Sequence, residues 1–402
     1  MWMRTRLCLA LTLGSLACAQ TRQVTDAEVM RVHRSALLID THNDVPWRVV
    51  DGFDIGSNVK SGHTDIARLK EGGVGAVFFA AYVGGEYVEG NHSANRALQT
   101  IDAVRHDIIA RYPNDFVFAT TAKDIEDAHR NGKIAALIGI EGGHAIEDSL
   151  RVLRDYYALG VRYMTLTHTN TNNWADSSGD ITRTDVKHHN GLTVFGKEVV
   201  REMNRLGMMV DISHVADKTF WDALEVSKAP IFASHSSCRA LADAPRNMTD
   251  EMIVALAKKG GVVDVNFNCS FLSQKFRNAQ AAENPRLEAR YAQETAGKKL
   301  SEPEQDIIHD RLRREMGLTR AKLSDVVAHI DHIRKIAGID AIGIGSDFNG
   351  VPCVPEGLDD VSKYPNLTRA LLEKGYTAED IRKIYGGNFL RVMRAVEVAA
   401  GK

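Results

Sequence analysis

Six short segments concentrate the residue types that bind metals and move protons. They are Asp40-Thr41-His42-Asn43-Asp44, Glu141-Gly142-Gly143-His144, Thr167-His168-Thr169, Asp211-Ile212-Ser213-His214, Ser234-His235-Ser236 and Ser346-Asp347-Phe348. Each follows an apolar run. Imidazole nitrogens and carboxylate oxygens are the ligands of catalytic zinc, which keeps one coordination position open for water. His42, Asp44, Glu141, His214 and His235 offer three imidazoles and two carboxylates, enough for two metal ions if one carboxylate bridges. Glu141 is the natural bridge, because it emerges from the apolar run 134–140 and a buried carboxylate is costly unless coordinated or paired. Gly142 and Gly143 are expected to leave room for the ions. Any one of these histidines alone reads as a hydrogen-bonded core residue; several ligand types at equivalent places read as a converging site.

The places are equivalent because of the elements that carry them. Apolar runs at 36–39, 74–83, 134–140, 161–166, 208–212, 230–233, 261–267 and 341–344 are nearly continuous, as strands buried on both faces are. Helical patterns lie between most of them, at 65–71, 94–112, 150–159, 194–206, 218–224, 250–259 and 323–337. The alternation predicts an α/β protein with a parallel sheet, and eight strands predict a TIM-like (β/α)8 barrel with its site on the C-terminal face. A doubly wound sheet would carry a Gly-rich phosphate turn after an early strand, and the sequence has none. The densely charged stretch 274–322 is expected to be a helical insertion between the seventh and eighth strands. Residues 20–402 are read as one barrel domain, closed by a capped helix over 381–396.

Composition narrows the function classes. The chain has 402 residues, 50 Lys and Arg against 52 Asp and Glu, 44% hydrophobic and 25% charged residues, which excludes disorder, collagen and a multi-span membrane protein. A net charge of −2 without long single-sign runs gives no footprint for nucleic acid. Arg4 and Arg6, the apolar run 7–16 and Ala17-Cys18-Ala19 form the pattern of a secretory signal over 1–19, cleaved after Ala19. Export to the periplasm or medium is therefore expected. Ser15-Leu16-Ala17-Cys18 is an imperfect lipoprotein box, so a lipid anchor on Cys18 is the second reading. Beyond that segment Cys238, Cys269 and Cys353 allow at most one bridge and are expected to be core or loop thiols.

Other histidines need separate treatment. His63-Thr64-Asp65 repeats the His-x-Asp spacing of His42 and Asp44, but no strand precedes it, so a helix cap is expected. His92, His106, His129, His188, His189, His309, His329 and His332 fall on helical or loop stretches and are read as surface histidines.

Taken in order, Ile39-Asp40-Thr41-His42-Asn43-Asp44, Ile140-Glu141-Gly142-Gly143, Leu166-Thr167-His168-Thr169-Asn170, Asp211-Ile212-Ser213-His214, Ser234-His235-Ser236-Ser237, Pro245-Arg246-Asn247 and Gly345-Ser346-Asp347-Phe348-Asn349-Gly350-Val351 resemble the membrane (renal) dipeptidases. The resemblance spans almost the whole chain beyond the signal. It implies a zinc-dependent dipeptidase on an (α/β) barrel with two Zn2+ per chain. His42, Asp44 and Glu141 would hold one ion, Glu141, His214 and His235 the other, with water or hydroxide between them. Asp347 would act as general base and then acid, and would touch the substrate; a direct zinc ligand or an outer carboxylate is the alternative for this residue. Arg246 would bind the dipeptide carboxylate through its planar fork. His168 would donate to the scissile carbonyl and the tetrahedral intermediate. The resemblance also implies a homodimer and tolerance of a D-residue at the C-terminal position. Two departures stand out. Where mammalian relatives bring a tyrosine to the substrate after the seventh strand, this chain reads Asn266-Phe267-Asn268-Cys269-Ser270-Phe271, and it ends Ala399-Ala400-Gly401-Lys402 without a lipid-anchor signal.

Two other readings stay open. The same ions could serve another binuclear amide hydrolase, such as a lactamase or an N-acyl amino acid deacylase, and the ligand set would also accept manganese or cobalt. A catalytically silent barrel used as a binding module would be signalled by missing ligands, and none is missing.

Overall fold

The computed structural model describes residues 22–57, 61–298 and 302–402; the expected signal segment 1–19 and Cys18 lie outside the described residues. Parallel strands alternate with helices, as the periodicity predicts. The strands are β1 (Leu38–Asn43), β2 (Val74–Tyr82), β3 (Phe116–Phe118), β4 (Ile134–Glu141), β5 (Val161–Thr165), β6 (Met209–Asp211), β7 (Ala233–Ser236), β8 (Val263–Val265) and β9 (Ile342–Ile344). One sheet has the order β1-β2-β4-β5-β6 with β3 added on β4, and a second has the order β7-β8-β9. Every pairing is parallel, and the strands curl into a half-barrel. Isolated parallel bridges join Asp211 to Phe232 and Asn43 to Phe348 at the sheet edges.

Several boundaries differ from the sequence reading, each for a physical reason. β1 begins later than 36–39 and carries the polar run Asp40 to Asn43 inside the ladder. Those side chains can be buried because they are bonded: the Asp40 carboxylate accepts the Ser346 N–H at 2.8 Å and its hydroxyl at 2.7 Å. β7 likewise starts at Ala233 and includes His235, whereas the expected run 230–233 opens on Pro230, which has no N–H to give a ladder. β3 and the helix Ala122–Arg130 were not foreseen. Three residues are too few for a periodic signal, although the Thr121–Asp124 capping box marks the helix start. The expected helix 94–112 is an α-helix over Ser93–Ala103 that continues as π-helix over Val104–Ala110.

Below the polar strand ends lies an aromatic floor. Tyr163 packs at 5.1 Å from Phe78 and 5.5 Å from Phe232, and Phe389, from the C-terminal helix Asn388–Ala399, closes on Phe78 at 5.4 Å. Gly139 makes this possible: a Cβ there would lie 2.0 Å from the Tyr163 ring, so only a bare backbone lets the tyrosine cross β4.

The charged stretch after β8 is helical, as expected, over Gln274–Thr295 and Glu302–Glu315. Two thiol expectations need correcting. Cys269 and Cys353 form a disulfide, because the segments leaving the neighbouring strands β8 and β9 run side by side, with the Cys269 N–H donating to the Cys353 carbonyl at 3.0 Å. Cys238 is the one buried free thiol among the described residues. His329 is not a surface histidine. It is fully buried, its Nδ1 accepts the Cys238 N–H at 3.0 Å, and Nε2–H donates to the Leu272 carbonyl at 3.0 Å.

Candidate active site

Glu141, the last residue of β4, gathers the imidazoles around it. Its Oε1 lies 2.9 Å from His214 Nε2 and 3.2 Å from His235 Nε2, and its Oε2 lies 3.5 Å from His42 Nε2. His42 Nε2 stands 3.3 Å from Asp44 Oδ2. The Nε2 atoms of His214 and His235 face each other at 3.0 Å. Potential ligand atoms therefore converge in three overlapping groups: His42, Glu141 and His235; Glu141, His168 and His214; and His42, Asp44 and Asp347.

The far side of each ring is anchored. The Tyr163 hydroxyl lies 2.8 Å from His42 Nδ1, and Ser234 Oγ lies 2.7 Å from His235 Nδ1 while donating to Asp211 Oδ2 at 2.6 Å. Such outer partners fix the tautomer and ring orientation of metal-binding histidines. His214 and Asp347 sit at φ 67° and 63°, in the left-handed region that costs a non-glycine residue strain and that clusters at functional sites. Asp347 is held there by its N–H donating to the His42 carbonyl at 3.0 Å, and its Oδ2 accepts from Asn266 Nδ2 at 2.7 Å.

Electrostatics follow from this packing. Burial and the nearby charges of Arg246 and His168 push His214 well below the ordinary imidazole range; burial, His42 and Arg246 do the same to His235. Both present neutral nitrogens. Burial opposes ionisation of Glu141, yet the surrounding histidines outweigh it and hold its carboxyl well below the usual range. Burial, with the Asp44 charge beside it, holds Asp347 well above. His42 Nε2 and Asp44 Oδ2 are buried without a hydrogen-bond partner, a costly state that a bound cation removes. Two carboxylates and three imidazoles around one point thus fit a metal centre.

A family model described as membrane dipeptidase (peptidase family M19) matches residues 26–402. The chain belongs to the membrane dipeptidase family. An uncharacterized dipeptidase of Schizosaccharomyces pombe is 36% identical over 402 residues, covering 95% of this chain and 85% of that protein. The solved structure of the probable dipeptidase PvdM from Pseudomonas aeruginosa is similar at TM-score 0.78 and 26% identity, over 93% of this chain and 99% of that one. The fold is also that of a Rhodobacter sphaeroides metallo peptidase liganded with a phosphinate mimic of the dipeptide L-Ala-D-Ala, at TM-score 0.71 and 24% identity, covering 90% of this chain and 99% of that one. As a member of the membrane dipeptidases, the protein is an enzyme of the metallodipeptidase type.

In this membrane dipeptidase a cleft of about 420 Å³ opens over the centre, lined by Asp44, Glu141, His168, His214 and Asp347 among others. His168 Nε2 is 3.8 Å from Glu141 Oε1, and burial pushes the ring below its ordinary pKa. Arg246 is half-buried beside β7 and is not among the residues that line this cleft. Its Nη2 donates to the His235 carbonyl at 2.6 Å, while Nε and Nη1 are buried without an acceptor. Burial lowers its pKa to about 10, which leaves it charged at neutral pH. A Cβ on Gly142 (φ 104°) would meet His144 at 2.6 Å, and one on Gly143 the Leu166 carbonyl at 2.3 Å, so the close packing of the protein itself already calls for both glycines.

Three cleft residues escaped the sequence reading. Tyr82 ends β2 level with Glu141 and meets the His168 ring edge-on at 4.7 Å, so a tyrosine does reach the cleft, from β2 rather than from the loop after β8. Counting tyrosine among the chemistry-bearing strand ends would have found it. Trp47 and His63 also line the cleft. Asp65 caps the helix Ile66–Glu71 as expected, but the histidine two residues before it belongs to the site wall.

Proposed function

We propose that this metallodipeptidase works with two zinc ions, one held by His42, Asp44 and Glu141 and the other by Glu141, His214 and His235. The observation that carries the reading is the position of the Glu141 carboxylate, with one oxygen toward His42 and the other toward His214 and His235. When bound, such ions polarise the scissile carbonyl and make water a nucleophile at neutral pH.

The chain's own residues do the rest. Asp347 takes a proton from the attacking water and returns it to the leaving amine, with Oδ2 steadied by Asn266. His168, neutral and beside Glu141, donates its N–H to the oxygen that gains charge. Arg246 neutralises the substrate carboxylate with its unmatched donors, which favours dipeptides over longer chains. A C-terminal D-residue is accepted.

On the same reading residues 20–402 form a (β/α)8 barrel with 274–322 as its insertion, a reading supported by the isolated bridges from Asp211 to Phe232 and from Asn43 to Phe348. The protein is exported by the segment 1–19 to the periplasm or medium, with Cys18 as the alternative anchoring point, and pairs as a homodimer.

The test is metal content and dipeptide turnover of the purified protein, with and without chelator, beside Glu141→Gln. Two zinc ions per chain, with L-Ala-L-Ala and L-Ala-D-Ala hydrolysed only by the metal-loaded wild type, is the expected result. Metal without dipeptide turnover would overturn the substrate assignment, and one ion per chain would overturn the bridge.

A further inference from the structure

His63 is held more tightly than a helix-preceding loop residue needs to be. Its ring Nδ1 accepts the Asn349 N–H at 3.0 Å, and its own N–H donates to Asn349 Oδ1 at 3.3 Å. Its carbonyl accepts the Val361 N–H at 3.1 Å, and its ring packs 5.4 Å from the Phe348 ring. Three bonds and a ring contact fix it to the segment after β9.

The first of those bonds decides the tautomer. A nitrogen that accepts a backbone N–H cannot carry a proton, so the ring is neutral and its hydrogen sits on Nε2. The environment agrees: burial, then the Arg68 charge, pull its pKa down to about 4, with Arg48 and Arg320 acting in the same direction and Asp360 against them. Among the described residues no group bonds Nε2, and the residue lines the cleft beside Trp47 and Asn349. The site wall thus carries one oriented, uncharged donor, in a cleft that the Trp47 indole also lines. Behind it the field is positive.

The two sides of the centre differ. Arg246, which takes the substrate carboxylate in the function proposed above, is bonded to β7 at His235. The contacts of His63 run instead to the segment after β9, on the side of Asp44 and Asn349. A dipeptide with its carboxyl end at Arg246 leaves its N-terminal side chain the part of the cleft that Trp47 and His63 line.

We propose that His63 is a specificity-determining residue: its Nε2–H selects dipeptides whose N-terminal side chain offers a hydrogen-bond acceptor, as Asn, Asp, Gln and Glu do, over apolar isosteres. This rests on the dipeptidase reading. Asn against Leu is the sharpest comparison, because the two side chains share size and branching while only one can accept.

The experiment compares kcat/KM for L-Asn-L-Ala and L-Leu-L-Ala, with L-Ala-L-Ala as reference, in the metal-loaded wild type, His63→Asn and His63→Gln. Asn places its amide oxygen near the position of Nδ1 and lacks a donor at Nε2; Gln carries a donor there. The wild type is expected to favour L-Asn-L-Ala by about 10-fold, the yield of one well-placed neutral hydrogen bond. His63→Asn brings that ratio close to one, and His63→Gln restores part of it. Hydrolysis of L-Ala-L-Ala with no preference for Asn, a preference confined to the C-terminal residue, or an unchanged ratio in His63→Asn would overturn this inference alone. Failure of the wild type on every dipeptide would overturn the dipeptidase reading and this inference with it.

Discussion

The Tyr163 hydroxyl lies 2.8 Å from His42 Nδ1, so the floor of the fold reaches up and sets the orientation of the first ligand. When Nδ1–H donates to that oxygen, Nε2 presents its lone pair toward Asp44 and Glu141. Tyr163→Phe keeps the aromatic packing and removes the anchor. Metal affinity, measured by chelator competition, is expected to fall about 10–100-fold, the usual cost of losing such a partner, and excess metal should recover the activity.

Gly350 lies against two carboxylates at once. A Cβ there would stand 2.3 Å from Asp44 Oδ2 and 2.4 Å from Asp347 Oδ1. Gly350→Ala must therefore displace both carboxylates or its own loop, and displacement of a reacting group by about 1 Å costs roughly 100-fold in rate. We expect a fall of that order in kcat/KM with little change in far-ultraviolet circular dichroism. Wild-type kinetics would contradict the position given to Asp347.

Asp347→Asn keeps the shape and the bond to Asn266 while removing the proton carrier. If Asp347 moves the proton, kcat should drop about 10²–10⁴-fold with both metal ions retained. Loss of metal with activity would instead make Asp347 a ligand, as its place beside His42 and Asp44 allows.

The Cys269–Cys353 bridge closes a sequence separation of 84 residues. Replacing both by serine is expected to lower the unfolding free energy by about 2–4 kcal/mol in denaturant titrations. Phe271 and Pro352, close to the two cysteines in sequence, line the cleft, so KM should rise in the same variant.

His329 gives a pH signature away from the metal centre. Burial lowers its pKa from 6.5 to about 4, so between those values the unfolded chain binds the proton that the folded one refuses. Stability is then full above about pH 6.5, declines as the pH falls toward 4, and shows no further loss from this group below that. Over the whole window the effect amounts to up to about 3 kcal/mol. Thermal melts of wild type and His329→Gln should converge as the pH is lowered through this window.

Much of the site was legible because strand ends are legible. The runs before Glu141 and His214 announce buried strands, and a charged or imidazole residue directly after such a run has few reasons to be there other than chemistry. What stayed hidden depends on contacts across the fold. Nothing near Tyr163 in sequence tells that its hydroxyl meets His42, and Gly139, which lets it do so, reads as an ordinary strand glycine. The bond between Cys269 and Cys353 follows from the adjacency of β8 and β9, a fact of topology rather than of spacing. No strand precedes His63; the segment after β9, far along the chain, holds it at the cleft.

Asp347 donates its N–H to the His42 carbonyl, and Asn43 pairs with Phe348, so the earliest ligand segment and the last one are stitched together by main chain. A centre built from these residues therefore needs segments more than 300 residues apart, and no fragment that stops short of Asp347 contains it. During synthesis such a centre cannot assemble until the segment around Asp347 has emerged. Splitting the gene between β6 and β7 would yield two silent halves whose reunion could be followed by the return of activity.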